Sequence, residues 1–261
     1  MNLTTRDIHV LEKIRDPESN PAAAISIDTS LPSDPHVVDK DIYQHVTQRE
    51  RDIIASIQRL ELQLVRRQSN AGQDLVVEYR RALSSLDNLI TEYPEYASAR
   101  NNRAQVLRRL YGDTVLVVEA GSSLQALVQN PGETERREAA GTALADLDRS
   151  ISLLSPTSPY ASLSQQAAKT LSMAHTQRAA IYHATSKLLA SPTISIHAGL
   201  CESKWTKLEF EEAASRDFAL GGRYGNDIAK GLAVTTNPTA KLCGQIVRQA
   251  MEKEYGPGFV N

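Results

Sequence analysis

Asn101, Asn102, Gln105, Arg108 and Arg109 crowd into one short stretch of the chain, and no other residues here have a better claim to chemistry. Amide and guanidinium groups each donate several directed hydrogen bonds, so a set of them suits an anion such as a carboxylate. At helical spacing they share one face or its edge. Their chemistry is that of holding, since none of them is a nucleophile or a general acid at neutral pH. The plain alternative stays open: they are the polar outside of a helix beside a turn that needs Asn.

Other candidates fall away on spacing. His175 and His183 can share a helix face, but they stand two turns apart, too far to bind one metal ion. Gly221-Gly222-Arg223-Tyr224-Gly225 follows a helix and lacks the Lys-Ser/Thr ending of a phosphate loop, so it reads as a helix stop. Cys201 and Cys243 lie in separate segments, and the apolar neighbours of Cys243 predict a buried, inert thiol. No Gly-x-Ser-x-Gly, Cys-x-x-Cys or His-Glu-x-x-His pattern occurs. The sequence therefore offers no catalytic residue, metal site or cofactor site, and a binding protein is expected rather than an enzyme.

The whole-chain properties agree. A net charge of −2 over 261 residues creates no field that would gather nucleic acid or an acidic membrane surface. Aromatic residues make up only 5% of the chain, so few large rings are on hand for a β-rich core. Ala, Leu, Gln, Arg and Glu are plentiful and lose little rotamer freedom in a helix, which predicts an all-α fold. The first residues lack the apolar run of a signal peptide, and no stretch is apolar for long enough to span a bilayer. A cytoplasmic protein, or one shared with the nucleus, is the expectation.

The elements that must position the polar set follow from periodicity. Thr4-x-x-Asp7 with Ile8, Leu11 and Ile14 predicts a short helix ended at Asp16-Pro17, and four prolines up to about His36 predict a flexible linker, so 1–40 forms an N-terminal region. A long helix from about Lys40 to Ser69, a turn at Asn70-Ala71-Gly72 and a helix from Asp74 to before Tyr93-Pro94 make a first hairpin. The pattern restarts at Ala97 and again near Tyr160, giving three hairpins over 41–220 with insertions near 114–140 and 186–203. Two closing helices over 221–261 follow, the last with Asn237 as N-cap and Pro238 at its first position.

Units of this size bury their apolar faces only by stacking, as tetratricopeptide repeats do. Ala82, Leu86, Leu89 and Pro94 have the spacing of the second helix of such a repeat, where a small residue allows close crossing and the proline ends the unit. Ala143, Leu147, Ser150 and Pro156 repeat it, and Thr206, Phe210 and Ala213 form a looser third copy. Ala104 and Ala179 are the expected small residues of the facing first helices. Asn237, Pro238, Leu242 and Cys243 read as a cap over the open end of the stack.

Four stretches narrow the likeness: Asp7-x-x-Val10-Leu11-x-x-Ile14-x-Asp16-Pro17, Ala97-Ser98-Ala99-x-Asn101-Asn102-Arg103-Ala104-Gln105, Phe210-Glu211-x-Ala213-Ala214 and Asn237-Pro238-x-Ala240-x-Leu242-Cys243. Taken in this order, from near residue 4 to near residue 250, the chain resembles the tetratricopeptide repeat protein 36 family, departing from it at the two insertions. The resemblance implies a three-repeat α-α superhelix and an adaptor role, with a 70-kDa heat-shock chaperone as partner and a link to tyrosine metabolism. Of the carboxylate clamp by which related proteins grip chaperone tails, only Asn102 is present; the matching places fall near Leu62, Arg66, Met173 and Gln177. The competing reading is a self-associating helical protein that pairs through its long first helix and the apolar Val115–Val118. The oligomeric state and the client protein are left open by the residues.

Overall fold

The computed structural model describes residues 25–65, 71–118, 126–158, 161–191 and 194–256. The short helix expected at Ile8, Leu11 and Ile14 lies outside them. The described residues form an all-helical superhelix: α1 (Lys40–Val65), α2 (Ala71–Glu92), α3 (Ala97–Tyr111), α4 (Glu133–Leu154), α5 (Gln165–Leu188), α6 (Lys207–Arg223), α7 (Asp227–Thr236) and α8 (Pro238–Tyr255). From α1 to α7 each helix packs on the next, and α3 also touches α5, so alternate helices line a common side.

Local chemistry sets the ends. The Ser164 hydroxyl accepts from the Ala167 amide to start α5, and Thr206 with Glu209 closes a reciprocal capping box at the start of α6. Asn226 and Asn237 cap α7 and α8. Arg108 and Arg109 fill the last turn of α3, where cations suit the helix dipole, and Gly112 leaves it at a φ of 83° that favours glycine. Gly72 does not cap α1 as expected, because it already lies inside the first turn of α2.

One charged arrangement recurs and marks the units. Arg103 of α3 grips Asp146 of α4 with two bonds of 2.6 and 2.7 Å and reaches Asp87 of α2 at 2.7 Å. One unit on, Arg178 of α5 grips Asp217 of α6 at 2.7 and 2.8 Å and reaches Asp148 of α4 at 2.5 Å. The Ser150 hydroxyl donates to the Ala97 carbonyl, and at the matching level the Ser172 hydroxyl donates to the Gly221 carbonyl. The partner of Ala143, Leu147 and Ser150 in the third unit is therefore Ala214, Phe218 and Gly221. The expected register of Thr206, Phe210 and Ala213 was two turns early. Thr206 is instead the N-cap of α6, while Phe210 and Ala213 are buried in its first half.

Ala82, Leu86, Ala104 and Ala179 are buried at helix crossings. Pro94 follows α2, and its carbonyl accepts two bonds from Arg100. The glycine pair Gly221-Gly222 does not stop α6, which runs on to Arg223; Gly225, with a φ of 106°, follows its end. The pair serves close packing. A Cβ on Gly222 would lie 2.8 Å from the Lys230 backbone of α7, and one on Gly221 would lie 2.5 Å from the Thr176 hydroxyl.

The two insertions meet each other. Val118 donates to the Ser195 carbonyl, and His197 donates to the Leu116 carbonyl, around an isolated antiparallel bridge between Val117 and Ile196. The first insertion is shorter than expected, since α4 begins at Glu133. Val115, Leu116 and Val117 are buried, so this part of the expected self-association surface is not open to a second chain.

His197 is 1% exposed, and neither ring nitrogen has a hydrogen-bond partner among the described residues. Burial, helped by the Arg136 and Arg137 charges against that of Glu133, holds its pKa below the ordinary 6.5. The unfolded chain takes up this proton before the folded one does, so the contribution is complete above the ordinary value and lost as pH falls. Thermal unfolding at about pH 7 and about pH 5 should show a smaller acid-induced drop in His197→Leu than in wild type. Equal drops would remove His197 as a source of acid sensitivity.

Residues 25–39, read from the prolines as linker, lie against the stack. Asp28 donates to the Leu163 carbonyl, Leu163 returns a bond to Ser26, and the His36 ring sits 2.9 Å from the Leu153 carbonyl. At the other end, the expected packing of Leu242 and Cys243 over the stack is not found. Both are exposed, and the closing contacts come from Ala229 and Ala233 of α7, which pack with Ala179 and Phe218. Pro238 takes the first position of α8 as expected.

Candidate partner-binding cleft

The five polar residues singled out in the sequence fall on α3 and just one of them is open to solvent. Asn101 is buried: its side-chain oxygen accepts from Gln177 of α5 at 2.8 Å, so it joins two units and does not face the groove. Asn102 is half-buried and donates to Glu50 of α1 at 2.7 Å. The other Glu50 oxygen accepts from the Tyr96 hydroxyl at 2.6 Å. Burial raises the Glu50 pKa, opposed by the bonds from Tyr96, Ser98 and Asn102. An internal carboxylate thus already takes the amide that a chaperone tail would need.

Gln105, Arg108 and Arg109 do converge. With Glu61, Tyr79, Gly112 and Asp113 they line a cleft of about 380 Å³. Arg108 bonds to Asp113 at 2.7 Å and to the Gln177 side chain at 3.1 Å. Arg109 bonds to Glu61 at 3.1 Å, and the Tyr79 hydroxyl donates to the same Glu61 oxygen at 2.7 Å. Burial and the Glu61 carboxylate together push the Tyr79 phenol well above its ordinary pKa, so it stays a donor. Gln105 is exposed at the mouth.

The cleft therefore presents guanidinium and carboxylate side by side on a helical scaffold. It can exchange its internal ion pairs for those of an incoming chain at modest cost, because these pairs are partly in water. Glu61 and Tyr79 come from the first hairpin and carry no local signal of a site. They enter only because α1 and α2 pack beside α3. Glu50, also on α1, likewise carries no local signal of a site. Among the described residues no group of three or more His, Cys, Asp or Glu is placed to hold a metal ion, and no helix is long and apolar enough to cross a membrane.

Comparison with known proteins gives a relative over nearly the whole chain. No family model matches the sequence, and no solved structure matches it. The L-tyrosine degradation gene cluster protein hmgX of Aspergillus fumigatus is 36% identical over 258 residues, spanning 97% of this chain and 93% of the relative. The match runs over nearly the whole chain, and this protein belongs to the hmgX family.

Proposed function

We propose that the protein is a non-catalytic adaptor that holds a protein of L-tyrosine breakdown against the α3 cleft. The observation that carries this reading is the convergence of Gln105, Arg108 and Arg109 with Glu61 and Asp113 in one open cleft. A mixed-charge cleft on stacked hairpins suits a polar peptide segment, whose side chains can replace the internal pairs one for one. The name of the hmgX relative supplies the metabolic setting. The likeness to the tetratricopeptide repeat protein 36 family points the same way, and the recurring Arg–Asp grips of α3–α4 and α5–α6 support three stacked repeats. In this reading the protein works in the cytosol or nucleus.

Binding of a 70-kDa heat-shock chaperone is the second partner in this reading. It would use a surface other than Asn102, whose amide is engaged by Glu50. Each purified tyrosine-degradation enzyme, and a labelled chaperone C-terminal peptide, can be titrated against wild type, Arg109→Glu and Asn102→Ala. The adaptor reading expects one enzyme to bind at micromolar concentration and to lose about tenfold or more in Arg109→Glu, roughly 1.4 kcal/mol. Equal binding by wild type and Arg109→Glu would move the site away from the cleft. No binding by any enzyme would discard the metabolic assignment. Loss of peptide binding in Asn102→Ala would restore the tail clamp.

A further inference from the structure

The C-terminal end of the superhelix carries an apolar face that the described residues leave uncovered. Leu242, Ile246 and Val247 of α8 are 56%, 56% and 57% exposed, and Ile228 of α7 is 76% exposed. The residues that end a solenoid ordinarily turn a polar side outward. Here Ala240, Cys243, Ile246, Val247, Ala250 and Met251 share one side of α8, while Lys241, Gln245, Arg248, Gln249 and Glu252 share the opposite side. A bond from Lys241 to Glu211 of α6, at 3.2 Å, is one of the few ties holding this helix to the stack. An 18-residue helix with so little packing is marginal in water unless its apolar side finds a partner.

We propose that this face pairs with the same face of a second copy, the two α8 helices lying antiparallel about a two-fold axis between Ile246 and Val247. The central side chains are self-complementary under that operation. Ile246 then meets Val247 and Cys243 meets Ala250, so apolar groups meet at the central levels of the seam, while Ala240 comes opposite Lys253. Small residues on the axis side, Ala240, Cys243 and Ala250, let the backbones approach. The only charges near the seam are Lys253 and Glu254 at its far end. The antiparallel arrangement brings Glu254 to the N-terminal turn of the partner helix, where the dipole favours a carboxylate. Neither residue makes an ion pair among the described residues. The branched side chains left open on α7 and α8 amount to an apolar patch on the order of 500 Å², at the upper end for a monomer. Two such patches reach about 1,000 Å² in total, the lower edge of a specific interface, so the dimer is weak and reversible.

Sedimentation of the full chain across a concentration series tests this, beside Ile246→Glu/Val247→Glu. Both positions are exposed, so an unchanged circular-dichroism melt will show that the variant folds. Wild type should form dimers with a dissociation constant in the micromolar range, and the double variant should raise that constant by about tenfold or more. A crosslink fixes the geometry. In a Cys201→Ser/Cys243→Ser background, Val247→Cys should oxidise readily to a disulfide dimer, while Arg248→Cys on the opposite side should not. A chain that stays monomeric overturns the proposal. So does association that the double variant leaves intact, or dimerisation that begins only when residues 1–24 are removed, which would give the face to that segment instead.

Discussion

Asp217→Ala is expected to lower the unfolding free energy by about 3 kcal/mol, because it strips the main partner from a cation that is only 20% exposed. Asp217 is almost fully buried and accepts from both Nε and Nη2 of Arg178 and from His175. The Tyr224 ring stacks on that histidine from the α6 end, with centroids 5.9 Å apart. Removing the carboxylate leaves the guanidinium with Asp148, which is half in water. Burial alone would raise the Asp217 pKa, but the bonds and charges of Arg178 and His175 outweigh it and hold the carboxyl below its ordinary 3.8. A carboxyl held low contributes stability above its unfolded value and loses it as pH falls through its folded value. Urea titrations at neutral pH should therefore show the full difference from wild type, and titrations below about pH 3 a smaller one. A loss under about 1 kcal/mol at neutral pH would mean that the grip is screened by water and does not hold the third unit together.

Phe210→Ala is expected to cost about 3–5 kcal/mol by opening a cavity where three aromatic rings meet. Phe210 is fully buried, with the Trp205 ring at 5.2 Å and the Tyr182 ring at 5.8 Å. Trp205 and Tyr182 also approach each other at 5.4 Å. Tyr182 in turn donates to Glu202 of the short turn Cys201–Lys204, which ties the second insertion to the core. The loss should be much smaller in Phe210→Leu, which refills most of the volume, and tryptophan fluorescence should shift red in the alanine variant as water reaches Trp205. An alanine variant with the wild-type thermal midpoint would show that the cluster is loosely packed.

Much of the scaffold was legible because it is encoded locally. Ala82 and Leu86 are spaced to lie on one side of α2, and Asn237-Pro238 suits a helix start; both kinds of signal operate within a turn or two. The third unit was misplaced for a physical reason. Phe210 is as apolar as Phe218, so periodicity alone gives two acceptable registers. The choice between them is made by Asp217, whose partner Arg178 sits on another helix. Gly221-Gly222 departs from the local pattern for a similar reason. A glycine pair near a helix end signals a stop, unless a second helix needs the space that a side chain would fill, as α7 does here.

The cleft divides along the same line. Asn101, Asn102, Gln105, Arg108 and Arg109 are visible as a polar cluster on α3, yet their fates differ because of residues far away in sequence. Gln177 buries Asn101, Glu50 occupies Asn102, and Glu61 and Tyr79 complete the cleft around Arg109. The sequence by itself determined the helices, their caps and the fact that they must stack, since propensity and periodicity act between near neighbours. Only the tertiary structure decided which polar groups pair with each other, which insertion covers which, and that no described residue covers the apolar side of α8. Those outcomes depend on which helices come to lie side by side, and no short-range pattern records that.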